Sequence, residues 1–160
     1  MELNTPTLLR TANYLNGTWV AADDGASFPV TDPATGQELA RVPQAGTAET
    51  RRAIAAAEAA LPAWRSLPAK SRSQVLQRWF ALINQHAEDL ARLITAEGGK
   101  PLAEARGEVG YGASFVEWFA EEGKRTYGET IPAPVADKRL LVIKQAIGVC
   151  AAITPWNFPL

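Results

Sequence analysis

The sequence predicts an α/β fold, and three observations carry that expectation. The opening stretch, through about Pro43, is short-spaced and rich in turn residues. The middle, from Thr47 to about Thr126, repeats apolar residues at helical spacing. The closing stretch, after Gly128, is rich in β-branched residues and ends in an apolar run with almost no polar alternation.

In the leader, "YLNGTWV" sets Asn16-Gly17 between two strand-like pieces. Both residues tolerate positive φ, so the pair predicts a tight hairpin. "FPVTDPATGQELARVP" holds Asp32-Pro33-Ala34-Thr35-Gly36 between two further pieces, and predicts a second β-hairpin closed by a proline–glycine turn. Thr47 is expected to cap the helix "AETRRAIAAAEAAL", with Glu49 in the first turn where the helix dipole favours negative charge. Pro62 is expected to end or kink that helix. Pro68 opens "AKSRSQVLQRWFALINQHAEDLARLITAE". There Val75, Leu76, Trp79, Leu82 and Ile83 recur at three- and four-residue spacing, as do Leu90, Leu93 and Ile94. Gly98-Gly99 supplies a helix stop, and Pro101 suits the first turn of a further helix. Phe115, Val116, Trp118 and Phe119 give that helix an apolar face.

"RLLVIKQAIGVCAAIT", interrupted by Gly148, predicts two strands at about 139–146 and 149–154. The second reads as a strand covered on both faces, which belongs to a parallel sheet. A lone interior strand leaves its backbone donors and acceptors unpaired. The expectation is therefore an incomplete domain, whose remaining strands lie outside these residues.

A length of 160 residues suits one domain or a piece of a larger one, and 47% hydrophobic with 21% charged residues is a globular composition. Sixteen basic and 17 acidic residues leave a formal net charge of -1. Without a basic patch, neither nucleic acid nor an anionic membrane is an expected partner. The apolar runs are too short to span a bilayer, and "MELNTPTLLR" lacks the basic start and apolar core of a secretory signal. Cys150 is the single cysteine, which excludes an internal disulfide and fits a reducing cytoplasm, the expected compartment. With one histidine and one cysteine, no metal site is expected.

The segment "ITPWNFP", Ile153 through Pro159, resembles the loop that follows the first cofactor-domain strand in aldehyde dehydrogenases. "YLNGTWV", "DPATGQELARVP", "PAWRSLPAKSRSQVLQRWFALI", "EGGKPLAEARGEV" and "GETIPAP" occur in the order and spacing of that superfamily's N-terminal third. "GYGASFVEWFAEEGKRTYGETIP" is most similar to succinate-semialdehyde dehydrogenases of the bacterial, cytoplasmic type. One departure is Gly98, where many relatives carry glutamine or another polar residue before "GKP".

The resemblance implies the N-terminal portion of a Rossmann-like cofactor domain. Residues 1–127 would be its hairpins and helices, 128–146 the start of a β oligomerisation arm, and 147–160 the first core strand and asparagine loop. It implies NAD or NADP as cofactor, a small aldehyde as substrate, and a homo-oligomer, dimer or tetramer. The implied reaction is oxidation of an aldehyde, succinate semialdehyde first among them, to its acid through a cysteine thiohemiacetal. The cysteine nucleophile and glutamate base would lie beyond Leu160, so these residues alone are expected to be inactive. Asn157 matches the asparagine that donates to the oxyanion. Ile153, Thr154, Pro155 and Trp156, together with Asn157, would face the cofactor. Phe158 resembles the aromatic that walls the substrate tunnel, and Tyr111 is a second candidate for that wall.

Blander readings stand beside these. Residue by residue, Asn157 reads as a turn former, Trp156 and Phe158 as core aromatics, and Tyr111 as a packed helix residue. Cys150 reads as an inert cysteine buried in a strand, His86 as a solvated helix residue, and Lys100 as a helix-end residue without a P-loop around it. Arg139 and Lys144 read as charges that protect a sheet edge. A non-enzymatic interaction module derived from an aldehyde dehydrogenase is the alternative function. A stand-alone nucleotide binder is weaker, because no glycine-rich phosphate turn is present.

Overall fold

Asn16 and Gly17 adopt φ of 47° and 83°, joining β1 (Asn13–Leu15) to β2 (Thr18–Val20) through a two-residue turn. The computed structural model, which describes all 160 residues, thus opens on the hairpin that the dipeptide predicts. Tyr14 pairs with Trp19 across it, ring centroids 5.1 Å apart. The second hairpin pairs β3 (Ser27–Thr31) with β4 (Glu38–Pro43). Its turn closes on Asp32, whose carboxylate accepts the Ala34 N–H at 2.7 Å, and on Gly36 at φ 71°.

Four helices follow: α1 (Thr47–Ser66), α2 (Ala69–Gln85), α3 (Ala87–Gly98) and α4 (Leu102–Glu122). The cap of α1 is Gly46 rather than Thr47. The Glu49 carboxylate accepts the Gly46 N–H at 3.0 Å and the Asp23 N–H at 2.9 Å, so an acidic side chain covers the helix start from inside. Pro62 does not end α1. The helix runs on to Ser66, and Leu67 turns extended (φ -65°, ψ 142°) because it precedes Pro68. The long helical stretch after Pro68 divides at His86 (φ -106°, ψ 16°), which is half-buried rather than solvated. Just beyond it, the buried Asp89 carboxylate accepts the N–H groups of Asn4 and Thr5, each at 2.8 Å, and ties down the N-terminal segment. Gly99 ends α3 in the left-handed region at φ 73°.

The change of direction at His86 lets α2 and α3 both pack on α4. Their shared core is Ile83, Ala91, Ile94, Ala105, Val109 and Ala113, with Val116 and Phe80 against it. Alanine at the contact positions lets the helix axes approach closely. The aromatic face expected of α4 is only partly used. Val116 packs inward, while Phe115, Trp118 and Phe119 remain exposed, as do Trp79 and Leu82 on α2.

After α4, β5 (Glu129–Ile131) pairs antiparallel with β6 (Leu140–Val142), and both strands are exposed. The strand expected at 139–146 is therefore only three residues long. The strand expected at 149–154 does not form, and those residues lie exposed. Its composition is that of an interior strand, but no neighbouring strand is present to complete a ladder, and β structure exists only through such pairing. Cys150 is accordingly exposed, not buried. No helix is long and apolar enough to cross a membrane.

Candidate functional site

The left-handed Gly99 sends the chain sharply out of α3, and Lys100 follows it in the short link before α4. The Lys100 ammonium donates to the Glu108 carboxylate, and also to the Asn157 carbonyl at 2.7 Å. The other oxygen of Glu108 accepts the Leu160 N–H at 3.2 Å. The two charged side chains are 18% and 1% exposed, so this ion pair is sheltered from water. Desolvating an ammonium and a carboxylate is tolerable only when each is paired and hydrogen-bonded, and here both are.

The segment they hold is a turn. Phe158 donates its N–H to the Pro155 carbonyl at 3.0 Å, which places Trp156 and Asn157 at the turn's centre. Asn157 is exposed and engages the rest of the chain through its carbonyl, which leaves its side-chain amide free to donate outward. The turn geometry agrees with the plain reading of Asn157 as a turn former, and the free amide is compatible with the chemical one. Pro155 and Pro159 restrict the backbone on either side.

Phe158 lies under the Lys100 ammonium, 4.3 Å from ring centroid to Nζ, and 6.2 Å from the Tyr111 ring at an interplanar angle of 64°. Tyr111 in turn stands edge-on to Phe115 at 4.9 Å. Tyr111, Asn157 and Phe158 thus share one corner of the molecule. Gly112 makes room for that corner, since a Cβ there would stand 3.2 Å from the Leu160 carbonyl oxygen. On the other side of the loop, Trp156, Pro159 and Leu160 face Leu90, Leu93, Ile94 and Glu97 across a cleft of about 300 Å³. Burial pushes the Glu97 carboxyl above its ordinary value.

Ile153 and Trp156 are almost fully exposed, at 97% and 87%, and Ile153 and Thr154 pair their backbone groups with nothing in the chain. Ile153 and Thr154 stand apart from the corner at Tyr111. The Cys150 sulfur lies 3.8 Å from the Gly148 carbonyl oxygen, exposed and away from Asn157 in sequence.

Lys100 and Glu108 are the residues that sequence reasoning missed. Lys100 does lie at a helix end, yet its side chain reaches across to residue 157. The available signal was Glu108, a carboxylate on the apolar face of α4 between Ala105, Val109 and Gly112. A charge in that position requires a partner.

The family profile described as "Aldehyde dehydrogenase family" matches residues 19–160. Among curated proteins, the chain is 61% identical to a 3-sulfolactaldehyde dehydrogenase of Pseudomonas putida, and 62% identical to a glutarate-semialdehyde dehydrogenase of the same species. It is 60% identical to the succinate-semialdehyde dehydrogenase [NADP(+)] of Escherichia coli. Each alignment covers 99% of this chain and 33% of the relative, so the chain spans about a third of the length of the curated relatives it matches. Among solved structures, a succinate-semialdehyde dehydrogenase from Burkholderia pseudomallei superposes with a TM-score of 0.97 at 57% identity, over 99% of this chain and 33% of that one. A betaine aldehyde dehydrogenase from Staphylococcus aureus, in complex with NAD+, superposes with a TM-score of 0.90 at 28% identity, over 95% and 31%.

Proposed function

This chain belongs to the aldehyde dehydrogenase family, and we propose that the whole protein oxidises a short aldehyde with an acidic group at its far end, succinate semialdehyde first among the candidates. Support for the substrate class comes from the relatives' names. Sulfolactaldehyde, glutarate semialdehyde and succinate semialdehyde each pair an aldehyde with an anionic group. The overall change takes an aldehyde and water to a carboxylate, with the hydride taken up by NAD or NADP when one is bound.

The observation that carries the reading is the Asn157 side-chain amide, left free on a turn whose own carbonyl is held by Lys100. A thiolate that adds to an aldehyde carbon turns the carbonyl oxygen into an alkoxide. A neutral amide fixed beforehand stabilises that charge without titrating near neutral pH. Asn157 is assigned that donation. Ile153, Thr154, Pro155 and Trp156 are assigned the surface under the nicotinamide ribose, with Trp156 acting through its main chain. Phe158 and Tyr111 are assigned the apolar wall that orients the aldehyde and excludes water. The nucleophile and base come from polypeptide outside residues 1–160.

In the whole protein, Asn157→Ala is expected to lower kcat about 100- to 1,000-fold, or roughly 3–4 kcal/mol of transition-state stabilisation, with little change in cofactor KM. Undiminished turnover in that variant would sink the reading.

Residues 1–127 are assigned to the hairpins and helices of the cofactor domain, 128–146 to the start of an arm, and 147–160 to a segment that becomes the first core strand and its loop only once a neighbouring strand pairs with it. The support for the arm is the exposed β5–β6 hairpin, where Leu141 is 72% exposed on a strand edge open to pairing. A second copy is the proposed partner, in a dimer or tetramer. Leu141→Lys is expected to shift the whole protein toward smaller species in sedimentation, and an unchanged assembly would argue against the arm.

A further inference from the structure

We propose that Lys100 and Glu108 form a clamp that holds the asparagine loop and thereby sets the aim of Asn157; the catalytic half of this inference rests on the aldehyde-oxidising reading above. The clamp grips at two points. Lys100 holds the Asn157 carbonyl, 57 positions away in sequence, and Glu108 holds the Leu160 N–H, 52 positions away. Between those points lies Pro159, which has little backbone freedom of its own. The Phe158 N–H closes the turn onto Pro155. With the peptide plane after Asn157 fixed, the origin of its side chain is fixed too, and the amide swings only about its own side-chain torsions.

Lysine suits the task because its ammonium carries three donors on one centre. One meets Glu108, one meets Asn157, and the ammonium lies over the Phe158 ring, an attractive placement for a cation. Glu108 is anchored in turn by its place in α4, between the core residues Ala105 and Val109. A pair serving only the junction of α3 and α4 would not need to reach residues 157 and 160. That junction already rests on Ala91, Ile94, Ala105 and Val109. Lys100 is therefore a positioning residue that acts through Asn157, not a group that meets the substrate.

The test uses the whole protein. Lys100→Met removes the grip on Asn157, and the double variant Lys100→Met with Glu108→Gln removes both charges together, so that no carboxylate is left buried without a partner. Both are expected to lower kcat by about 10- to 100-fold, the scale of a misplacement of about 1 Å in a catalytic group, with KM values for aldehyde and cofactor nearly unchanged. Hydrogen exchange at the Phe158 and Leu160 amides is expected to rise by roughly tenfold or more, while Val109 and Ala113 keep their protection. In an Asn157→Ala background, the same substitutions should cost less than about threefold further.

Unchanged exchange at 158 and 160 overturns the clamp, whatever the activity. A full 10- to 100-fold loss repeated in the Asn157→Ala background also overturns it, because the pair then acts on the fold at large. Undiminished turnover in Asn157→Ala alone overturns the aldehyde-oxidising reading instead. The two failures are distinguishable, because the exchange response to Lys100→Met still reports on the clamp.

Discussion

The helical body and the closing segment obey different rules. Between Thr47 and Glu122 lie all the buried apolar side chains except Ala22: Ile83, Ala91, Ile94, Ala105, Val109, Ala113 and Ala120. From 143 to 158 no residue is buried, and Ile147 and Ile153 are 94% and 97% exposed. The closing segment is the more apolar of the two in sequence, so hydrophobicity alone does not decide which region is buried. Helices satisfy most of their own backbone and need only a face to pack, whereas a strand makes all its ladder bonds to neighbouring strands. The body carries its neighbours within itself. The closing segment does not, and its order comes from an ion pair that holds residues 157 and 160.

Removing one apolar side chain from each region tests the contrast most severely. Ile94→Ala should destabilise residues 1–160 by about 2–5 kcal/mol, because it opens a cavity where α3 meets α4. Ile153→Ala should change the same unfolding midpoint by less than about 0.5 kcal/mol, since the side chain touches little to lose. Urea melts of the two variants decide the matter, and equal effects would mean that the closing segment is packed in solution.

A smaller effect sharpens the account of how charges brace the body. Hydrogen bonding from Arg106, against a desolvation that opposes it, holds the Glu88 carboxyl at about 2 instead of 4.5, with Arg106 and Arg92 adding charge attraction. The folded-state value is depressed, so the stabilisation is complete above pH 4.5 or so and is lost as pH falls toward 2. Unfolding midpoints measured between pH 7 and pH 3 should fall in that window, and the Glu88→Gln variant should fall less steeply. Parallel curves for the two proteins would show that Glu88 contributes nothing. All three groups are substantially exposed, which keeps the effect modest.

Some of this was legible at the level of residues. Asn16-Gly17 predicted its hairpin because few residues accept positive φ in succession, and Gly99 predicted a helix stop for the same reason. Family resemblance marked the 153–159 loop as the candidate site, and the structure adds that Tyr111 and Phe158 stand near one another. Other expectations failed, and three of the failures are instructive. Pro62 sits inside α1 and does not end it; the helix stops at Ser66 because Pro68 holds Leu67 extended. Gly46 replaces Thr47 as the cap, because Glu49 folds back on it. The 149–154 strand is not formed, because pattern describes a willingness to pair and not the presence of a partner.

Residue order alone fixed the local elements: two hairpins, helices with an apolar face, and a proline-bounded turn at 155–159. Those follow from φ preferences and apolar spacing, which act within a few residues. Only the tertiary structure decided that Lys100 and Glu108 meet residues 157 and 160, and that Cys150 lies open. Contacts across more than fifty positions depend on how α3 and α4 turn at Gly99, and no local pattern encodes where a long, flexible ammonium will come to rest.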